Sequence, residues 1–147
     1  MKEELKDTGI ERIGGRKQKP VNRKRKNDPL LTTLTIDGFR VLMGKNNTQN
    51  EFLTLKKAAK TDLWLHARQI PGSHVVIETE GLTVPLATIE KAAALAAWNS
   101  KGKDSGKVDV DYTLIRYVKK IPNGPPGLVN YTHQKTIAAI PTEIKDE

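Results

Sequence analysis

The chain has 147 residues, no cysteine and a formal charge of +8 at neutral pH. A chain of this length forms about one domain, and the lack of cysteine excludes disulfide bonds and thiol chemistry. No apolar run approaches the ~18 residues of a membrane-spanning helix, and the first residues contain no apolar signal region. The net charge makes a polyanion the expected partner.

The positive charge is concentrated at the start of the chain. Residues 1–30 contain ten Lys or Arg and five Asp or Glu, so they hold +5 of the total charge of +8. Residues 1–9 are interpreted as the last turns of a helix that stops at Gly9. Residues 16–26, which are rich in Lys and Arg and contain Pro20, are predicted to be a flexible linker. This linker is either a solvated spacer or an arm that contacts phosphates.

The folded part is predicted to begin with a hairpin. The β-prone runs 31–36 and 39–43 flank the pair Asp37-Gly38. An Asp-Gly pair between two such runs is the strongest short-range hairpin signal.

A helix is predicted over residues 48–59. Thr48 and Glu51 match a capping box, in which two side chains satisfy N–H groups at a helix start. The remaining N–H groups would lie beside Lys45 and Asn46 and offer a seat for a phosphate. The alternative is that the asparagines only satisfy the backbone of the turn.

The stretch TDLWLHARQIPGSHVVIE, residues 61–78, is predicted to be the central hairpin. Residues 62–68 alternate between apolar and polar, which is typical of a strand with one buried face. Pro71-Gly72 supplies a turn, in which glycine accepts a positive φ. A second strand follows over residues 73–78, with a dense β-branched run.

The polar face of the first of these strands carries Trp64, His66 and Arg68 in a row. Flat rings stack on bases and cations meet phosphates, so an open row of this kind is a candidate RNA surface. The alternative is a sheet covered on both sides, with Trp64 packed in the core like most large aromatic residues. His74, beside the turn, either bonds to the loop backbone or faces RNA.

A second helix is predicted over residues 88–100, with Thr88 as its cap and a small-residue face that packs closely on a sheet. A loop with three lysines follows. In chain order after this loop come a long alternating strand at 108–120 and a closing hairpin at 128–132 and 136–140. Residues 142–147 are predicted to be an unanchored end.

The sequence contains no evident catalytic constellation. With no cysteine, a zinc site would need His66 or His74 with carboxylates, in a spacing that matches no usual metal motif. Asp62 shares a strand face with His66 but lies ~13 Å along it, too far to orient that ring toward a Ser73 nucleophile. No glycine-rich phosphate-binding motif occurs. We therefore expect no enzyme activity, no metal and no cofactor.

Several stretches jointly and closely resemble the signature of the NFACT-R domain. This is the C-terminal RNA-binding domain of fibronectin-binding-protein-A-like factors of bacterial ribosome quality control. The resemblance covers roughly residues 34–141, and the joint pattern is far more specific than any single motif. The stretches are GKNN at 44–47 with Gln49-Asn50, DLWLHA at 62–67, PGSHVVI at 71–77, VDYT at 110–113 and VKK at 118–120.

The resemblance implies that the chain is one domain of a cytoplasmic protein that binds the large ribosomal subunit with an obstructed nascent chain and a tRNA. That protein would recruit alanyl-tRNA and support alanine tailing, while the ribosome catalyses the peptidyl transfer. Its implied partners are tRNA, large-subunit RNA and the other domains of the parent, with no membrane. The family's older name implies an alternative, a fibronectin-binding module at the cell surface. A third reading is a structural module that docks on its parent through the Trp64 face.

The predicted fold class is α+β. It has a bent, mostly antiparallel sheet of about seven strands with two helices on one side, in the order ββ-α-ββ-α-β-ββ. Residues 1–30 are assigned to a helical end and basic linker, 31–141 to the NFACT-R-like domain and 142–147 to a tail. The candidate RNA-binding residues are Lys45, Asn46, Asn47, Asn50, Lys56, Trp64, His66, Arg68, Ser73, His74, Lys101, Lys103, Lys107, Lys119 and Lys120.

Overall fold

The computed structural model describes residues 29–146. The predicted helical end and the basic linker lie outside the described residues. Within 29–146, no helix is both long and apolar enough to cross a bilayer.

Eight strands and two α-helices form an α+β fold, which confirms the predicted class. Six strands build one antiparallel sheet in the order β1-β2-β4-β3-β5-β8, and β6 pairs with β7 in a small second sheet. Short π-helical and 3-10 segments follow α1 and β5 at Leu53–Lys57 and Ile115–Tyr117. The elements are β1 Thr32–Ile36, β2 Phe39–Met43, α1 Asn47–Phe52, β3 Leu63–Ala67, β4 Val75–Glu78, α2 Leu86–Trp98, β5 Val108–Leu114, β6 Val118–Lys120, β7 Val129–Tyr131 and β8 Lys135–Ala139.

Both predicted early hairpins are present. Asp37 and Gly38 join β1 to β2 with φ values of 52° and 85°, as a tight two-residue turn requires. The antiparallel strands β3 and β4 form the central hairpin. Its positive φ falls on Gln69, at 59°, and not on Gly72 as predicted. Gly72 is required for another reason, because a Cβ there would lie 2.9 Å from Cβ of Ser100.

The last third of the sheet differs from its prediction. The expected long strand breaks at Ile115, whose side chain is buried and whose N–H donates to the carbonyl of Asp62. The expected closing hairpin is wrong, because β7 pairs with β6 whereas β8 pairs with β5. The chain thus leaves the main sheet after β5, covers it with β6 and β7, and returns to its edge as β8.

The two helices lie on opposite faces of the main sheet, not on one side as predicted. Alanines and Ile89 of α2 pack with Leu65 and Val75 in the larger core. On the other face, Leu53 packs with Trp64 and Val118 in a second, smaller core. Neighbouring residues of one strand point to opposite faces, so Trp64 and Leu65 enter different cores.

Helix starts also differ from the predicted caps. Asn46 caps α1, since its Oδ1 accepts the N–H of Gln49 at 2.9 Å. The second helix begins two residues before Thr88, after Pro85, and the hydroxyl of Thr88 donates to Asp37 at 2.8 Å. At the start of α1, Asn46, Asn47 and Thr48 are consecutive, and sequence spacing does not decide which of them adopts the extended cap backbone.

The C-terminal end is anchored, contrary to the prediction. Ile144 packs against the larger core, and the N–H of Thr142 donates to the carbonyl of Ala94 at 3.3 Å. Asp146 accepts the N–H of Thr35 at 2.7 Å. The tail is held because the apolar Ile144 side chain finds a place beside α2 and the edge strand β1.

Candidate nucleic-acid interface

Trp64 and His66 lie on one face of β3, as predicted, and Arg68 follows the strand directly, so the row runs from the core to solvent. Trp64 is fully buried, His66 is half-buried and Arg68 is exposed. The ring of Tyr131 on β7 lies 4.7 Å from the indole, and Leu53 closes the same core. The prediction that Trp64 offers an open stacking surface is therefore wrong, because a second layer covers it.

His74 is buried and keeps its neutral form. Its Nδ1 lies 2.7 Å from the hydroxyl of Thr54, and its ring also bonds to the backbone of Gly127. Burial, with a smaller contribution from nearby His66, lowers the pKa of His74 to about 3. This ring therefore holds the loop together and carries no charge for a phosphate at neutral pH.

His66 is held in an aromatic cluster. Its ring stacks on Trp64 at 5.7 Å and meets the edge of His74 at 5.1 Å. Burial lowers the pKa of His66, and its backbone hydrogen bonds and Asp111 only partly oppose this. A half-buried, uncharged imidazole is a weak candidate for phosphate binding.

A buried carboxylate locks the covering layer onto the main sheet. Asp111 of β5 accepts the hydroxyl of Tyr131 at 2.5 Å and that of Thr136 at 2.6 Å. Burial and the bond to Asp111 raise the pKa of Tyr131, so the phenol stays protonated and donates. These bonds join β7 and β8 to β5 and fix Tyr131 over the indole of Trp64.

Two further predicted site residues are buried. The Oδ1 of Asn50 accepts the backbone N–H of His74 at 3.0 Å, and the N–H of Ser73 donates to the carbonyl of Asn99 at 3.0 Å. Both residues therefore shape the loop after β3 and are not open to a ligand. Gly44 is required beside them, because a Cβ there would lie 2.3 Å from Oδ1 of Asn50.

Asn50→Ala should lower the free energy of unfolding by about 1–3 kcal/mol, since it leaves the buried N–H of His74 without its acceptor. Asn47→Ala, an exposed change on the same short helix, should shift stability by less than about 0.5 kcal/mol. Urea unfolding of the two variants provides the measurement. Equal losses in both variants would contradict the positioning role of Asn50.

The start of α1 is exposed, and the phosphate seat predicted there stays a prediction. The side chains of Lys45, Asn46 and Asn47 are exposed. However, the N–H of Lys45 donates to Oε1 of Gln49 at 2.8 Å, and the N–H of Gln49 is taken by the cap. One of the helix-start N–H groups on which the predicted seat depended, that of Gln49, is therefore already satisfied.

The remaining cations on this side are dispersed. Lys120 pairs with Glu51 at 2.8 Å, and Glu51 also accepts the N–H of Gly127, so its pKa is lowered. Lys56 and Lys119 are exposed on separate elements. Glu51 thus ties α1 to β6 and does not act in the predicted capping box.

One basic depression brings several predicted residues together. It has a volume of about 440 Å³ and lies where the loops after β3 and α2 meet the start of β5. Three of its lining residues were predicted from sequence, and all three are exposed cations. We call this site the basic depression; these residues are Arg68, Lys101 and Lys107.

Backbone hydrogen bonds fix the walls of the basic depression. The N–H of Arg68 donates to the carbonyl of Asp109 at 2.8 Å, and the N–H of Lys101 donates to that of Pro71 at 2.9 Å. Gly102 permits close contact at the floor, since a Cβ there would lie 2.8 Å from Cγ2 of Val108. The backbone that carries these cations is therefore held in a fixed position.

Lys103 has a different position from its neighbours. Its Nζ lies 4.0 Å from the ring centre of Trp98, a cation–π arrangement. It borders the loop of the basic depression but does not line it.

Sequence reasoning missed three polar residues of the basic depression, namely Gln69, Ser105 and Asp109. No feature of the sequence predicted the positive φ of Gln69, since glutamine is not typical of that backbone region. Asp109 could have been found from the sequence, because it lies at the start of the strand predicted over residues 108–120, next to the loop with three lysines. Its carboxylate limits the positive charge of the site and gives it polarity.

No group of three or more potential metal ligands occurs within 29–146. Asp62, which was weighed as a ligand or catalytic carboxylate, is buried. Its oxygens accept the N–H groups of Ala59 at 2.9 Å and Thr79 at 3.2 Å. This carboxylate therefore serves the backbone on either side of β3.

Comparison with known proteins gives a consistent result over most of the chain. The chain is 50% identical over 130 residues to Rqc2 homolog RqcH of Bacillus subtilis (strain 168), covering 87% of the chain and 21% of that protein. It is 42% identical over 146 residues to Rqc2 homolog RqcH of Streptococcus suis (strain 05ZYH33), covering 99% and 25%. The chain thus spans about a fifth to a quarter of these relatives.

A solved structure has the same fold. The C-terminal part of the fibronectin/fibrinogen-binding protein from Streptococcus suis superimposes with a TM-score of 0.72 at 43% identity, covering 87% of this chain and 51% of that one. The family profile of the NFACT protein RNA binding domain matches residues 30–132. The chain therefore belongs to the family of NFACT RNA-binding domains.

Proposed function

We propose that this domain binds RNA through the basic depression. The observation that carries the proposal is the convergence of three exposed cations, Arg68, Lys101 and Lys107, on one open site. Within 29–146, none of them forms an ion pair with a carboxylate. Such cations release counterions when they meet phosphates, and this supplies most of the sequence-independent affinity for nucleic acid.

The parent protein is proposed to be a cytoplasmic factor of ribosome quality control. The identity to proteins named Rqc2 homolog RqcH supports this proposal. In it, the domain contacts tRNA or large-subunit RNA on subunits that carry an obstructed nascent chain, and supports alanine tailing. The domain itself is proposed to have no catalytic role, because peptidyl transfer belongs to the ribosome.

The salt dependence of RNA binding tests the basic depression. The triple variant Arg68→Gln, Lys101→Gln and Lys107→Gln should bind single-stranded RNA more weakly. Its slope of log affinity against log salt should be smaller in magnitude by about 2, at ~0.7 per lost phosphate contact. Filter binding or fluorescence anisotropy at several salt concentrations gives the slope.

A matched control removes the same charge from the opposite end of the sheet. Arg40 pairs with Glu78, Lys91 pairs with Asp37 and Lys145 lies in the tail. The triple glutamine variant of these residues should keep the slope of the unmodified chain. An equal loss of slope in both triple variants would show that only net charge matters and would exclude the basic depression as the site.

Crosslinking of the full-length parent to ribosomes tests the finer proposal. Nucleotides of tRNA or large-subunit RNA should crosslink to residues around the basic depression. Crosslinks confined to other domains of the parent would contradict a ribosomal role for this domain and would favour the structural docking module.

Fibronectin binding is a second candidate function. The specific observation in its favour is the name of the solved relative, a fibronectin/fibrinogen-binding protein. Surface plasmon resonance with immobilised fibronectin separates the two candidates. Under this alternative, fibronectin binding persists in the Arg68, Lys101 and Lys107 triple variant, and the unmodified chain binds no RNA.

A further inference from the structure

An exposed ring pair lies apart from the basic depression. The rings of Tyr117 and His133 are stacked, with centres 4.0 Å apart and planes inclined by 23°. His133 is exposed and Tyr117 is half-buried. The tyrosine therefore backs the imidazole on one side. We call these two residues the ring pair.

The ring pair is held in place by backbone contacts across the small sheet. The ladder of β6 and β7 is continued by the N–H of Thr132, which donates to the carbonyl of Tyr117 at 3.2 Å. The hydroxyl of Thr113 on β5 donates to the carbonyl of Thr132 at 2.8 Å. These two bonds fix the residue before His133 to β5 and to the 3-10 segment that precedes β6.

His133 itself adopts a backbone that few side chains adopt. Its φ is 60°, and its Nδ1 lies 3.0 Å from the hydroxyl of Thr132. Asparagine and glycine suit this left-handed region better than most residues. The imidazole is thus carried by the bend between β7 and β8, where its ring is exposed to solvent.

The charge around the ring pair favours an anionic ligand. No Asp or Glu occurs between residues 112 and 142, whereas four cations do. All four are exposed. Lys120 pairs with Glu51, which leaves Arg116, Lys119 and Lys135 as the cations of this stretch to meet a ligand. The nearest acid on β5, Asp111, is buried, and its oxygens already accept the hydroxyls of Tyr131 and Thr136.

From this geometry we propose that the ring pair is a seat for one unpaired nucleobase of single-stranded RNA, which stacks on the outer face of His133. The proposal rests on the RNA-binding function proposed above and adds a second contact to it. Base stacking on a ring tolerates any base, since every base has a flat face. A flat exposed ring on a stretch of chain that carries four cations and no carboxylate matches a base joined to its phosphates.

The seat and the basic depression are within reach of one strand of RNA. Thr113, which holds the turn of the ring pair, lies about 17 Å along β5 from Val108 in the wall of the basic depression. Phosphates in the basic depression and a base on His133 therefore provide different kinds of contact, charge at one site and stacking at the other.

The test uses the 147-residue chain and a single-stranded RNA of about twelve nucleotides, with one 2-aminopurine as a stacking reporter. His133→Asn keeps a residue that tolerates positive φ but removes the ring. This variant should bind the single strand about tenfold more weakly, within the range for one base–ring stack. It should also lose the quenching of 2-aminopurine. Its melting temperature and salt slope should stay unchanged, because the lost contact is not a charge.

Two companions make the result decisive. His133→Trp should restore binding and quenching, and an RNA duplex of the same length should bind His133→Asn as well as it binds the unmodified chain. Unchanged single-strand affinity in His133→Asn would overturn the seat. If the Arg68, Lys101 and Lys107 variant then still loses its salt slope, the proposed RNA-binding function stands without it. Failure of the unmodified chain to bind either RNA would overturn both the seat on His133 and the proposed RNA-binding function.

Discussion

Trp64→Ala should lower the free energy of unfolding by about 3–5 kcal/mol, the range for truncation of a buried aromatic residue. The side chain is fully buried in the smaller core, between Leu53 and the ring of Tyr131. Its loss leaves a cavity between the main sheet and the layer formed by β6 and β7. Urea unfolding followed by circular dichroism measures the change.

Arg68→Ala is the matched control for this prediction, because Arg68 follows the same strand but is exposed. It should change stability by less than about 0.5 kcal/mol. Trp64→Phe should cost less than Trp64→Ala, since the indole N–H has no hydrogen-bond partner within 29–146 to lose. Equal stability of Trp64→Ala and Arg68→Ala would show that the indole is not part of the core.

The stability of the domain should fall as the pH is lowered from about 6.5 towards 3, and His74 should be a main cause. The folded chain resists protonation of His74 until about pH 3, whereas the unfolded chain protonates it near 6.5. Between these values the unfolded state binds one more proton, so acid favours unfolding. The contribution of His74 to the free energy of unfolding is therefore most favourable above pH 6.5, and it becomes progressively less favourable as the pH falls below 6.5.

His74→Gln should remove about 3 kcal/mol of the stability difference between pH 7.5 and pH 4, at 1.36 kcal/mol per pH unit. Free energies of unfolding of both chains across this range give the comparison, and carboxylates contribute equally to each. The depressed pKa of His66 acts in the same direction, so part of the pH dependence should remain. Parallel curves of unfolding free energy against pH for the two chains would contradict the neutral, buried state of His74.

The alternating pattern of a single strand predicted the face on which a side chain lies but not its burial. On β3, the alternation placed Trp64 and His66 correctly on one face, and Arg68 follows the strand. It did not indicate that burial decreases along this face. Only Arg68 lies beyond the end of the covering layer, so only Arg68 is available to phosphates.

The amino-acid sequence was sufficient to predict the α+β class, the two early hairpins and the family. These depend on local features: the Asp37-Gly38 turn, the apolar alternation of β3 and the joint motif pattern. It also identified the cations, since exposed lysines in a loop after a helix follow from composition and spacing. Such features are specified within a few residues of chain.

The layer that covers each face of the sheet, and the residues that come into contact, depend on long-range packing. The pairing of β7 with β6 closes a second core over Trp64, and the hydroxyl of Tyr131 on Asp111 fastens it. Arg68 meets Lys101 and Lys107 because an isolated bridge joins Gly72 to Ser100. Alternation records the side of a strand on which a residue lies. The layer that packs there, by contrast, comes from chain segments tens of residues away, which periodicity does not connect.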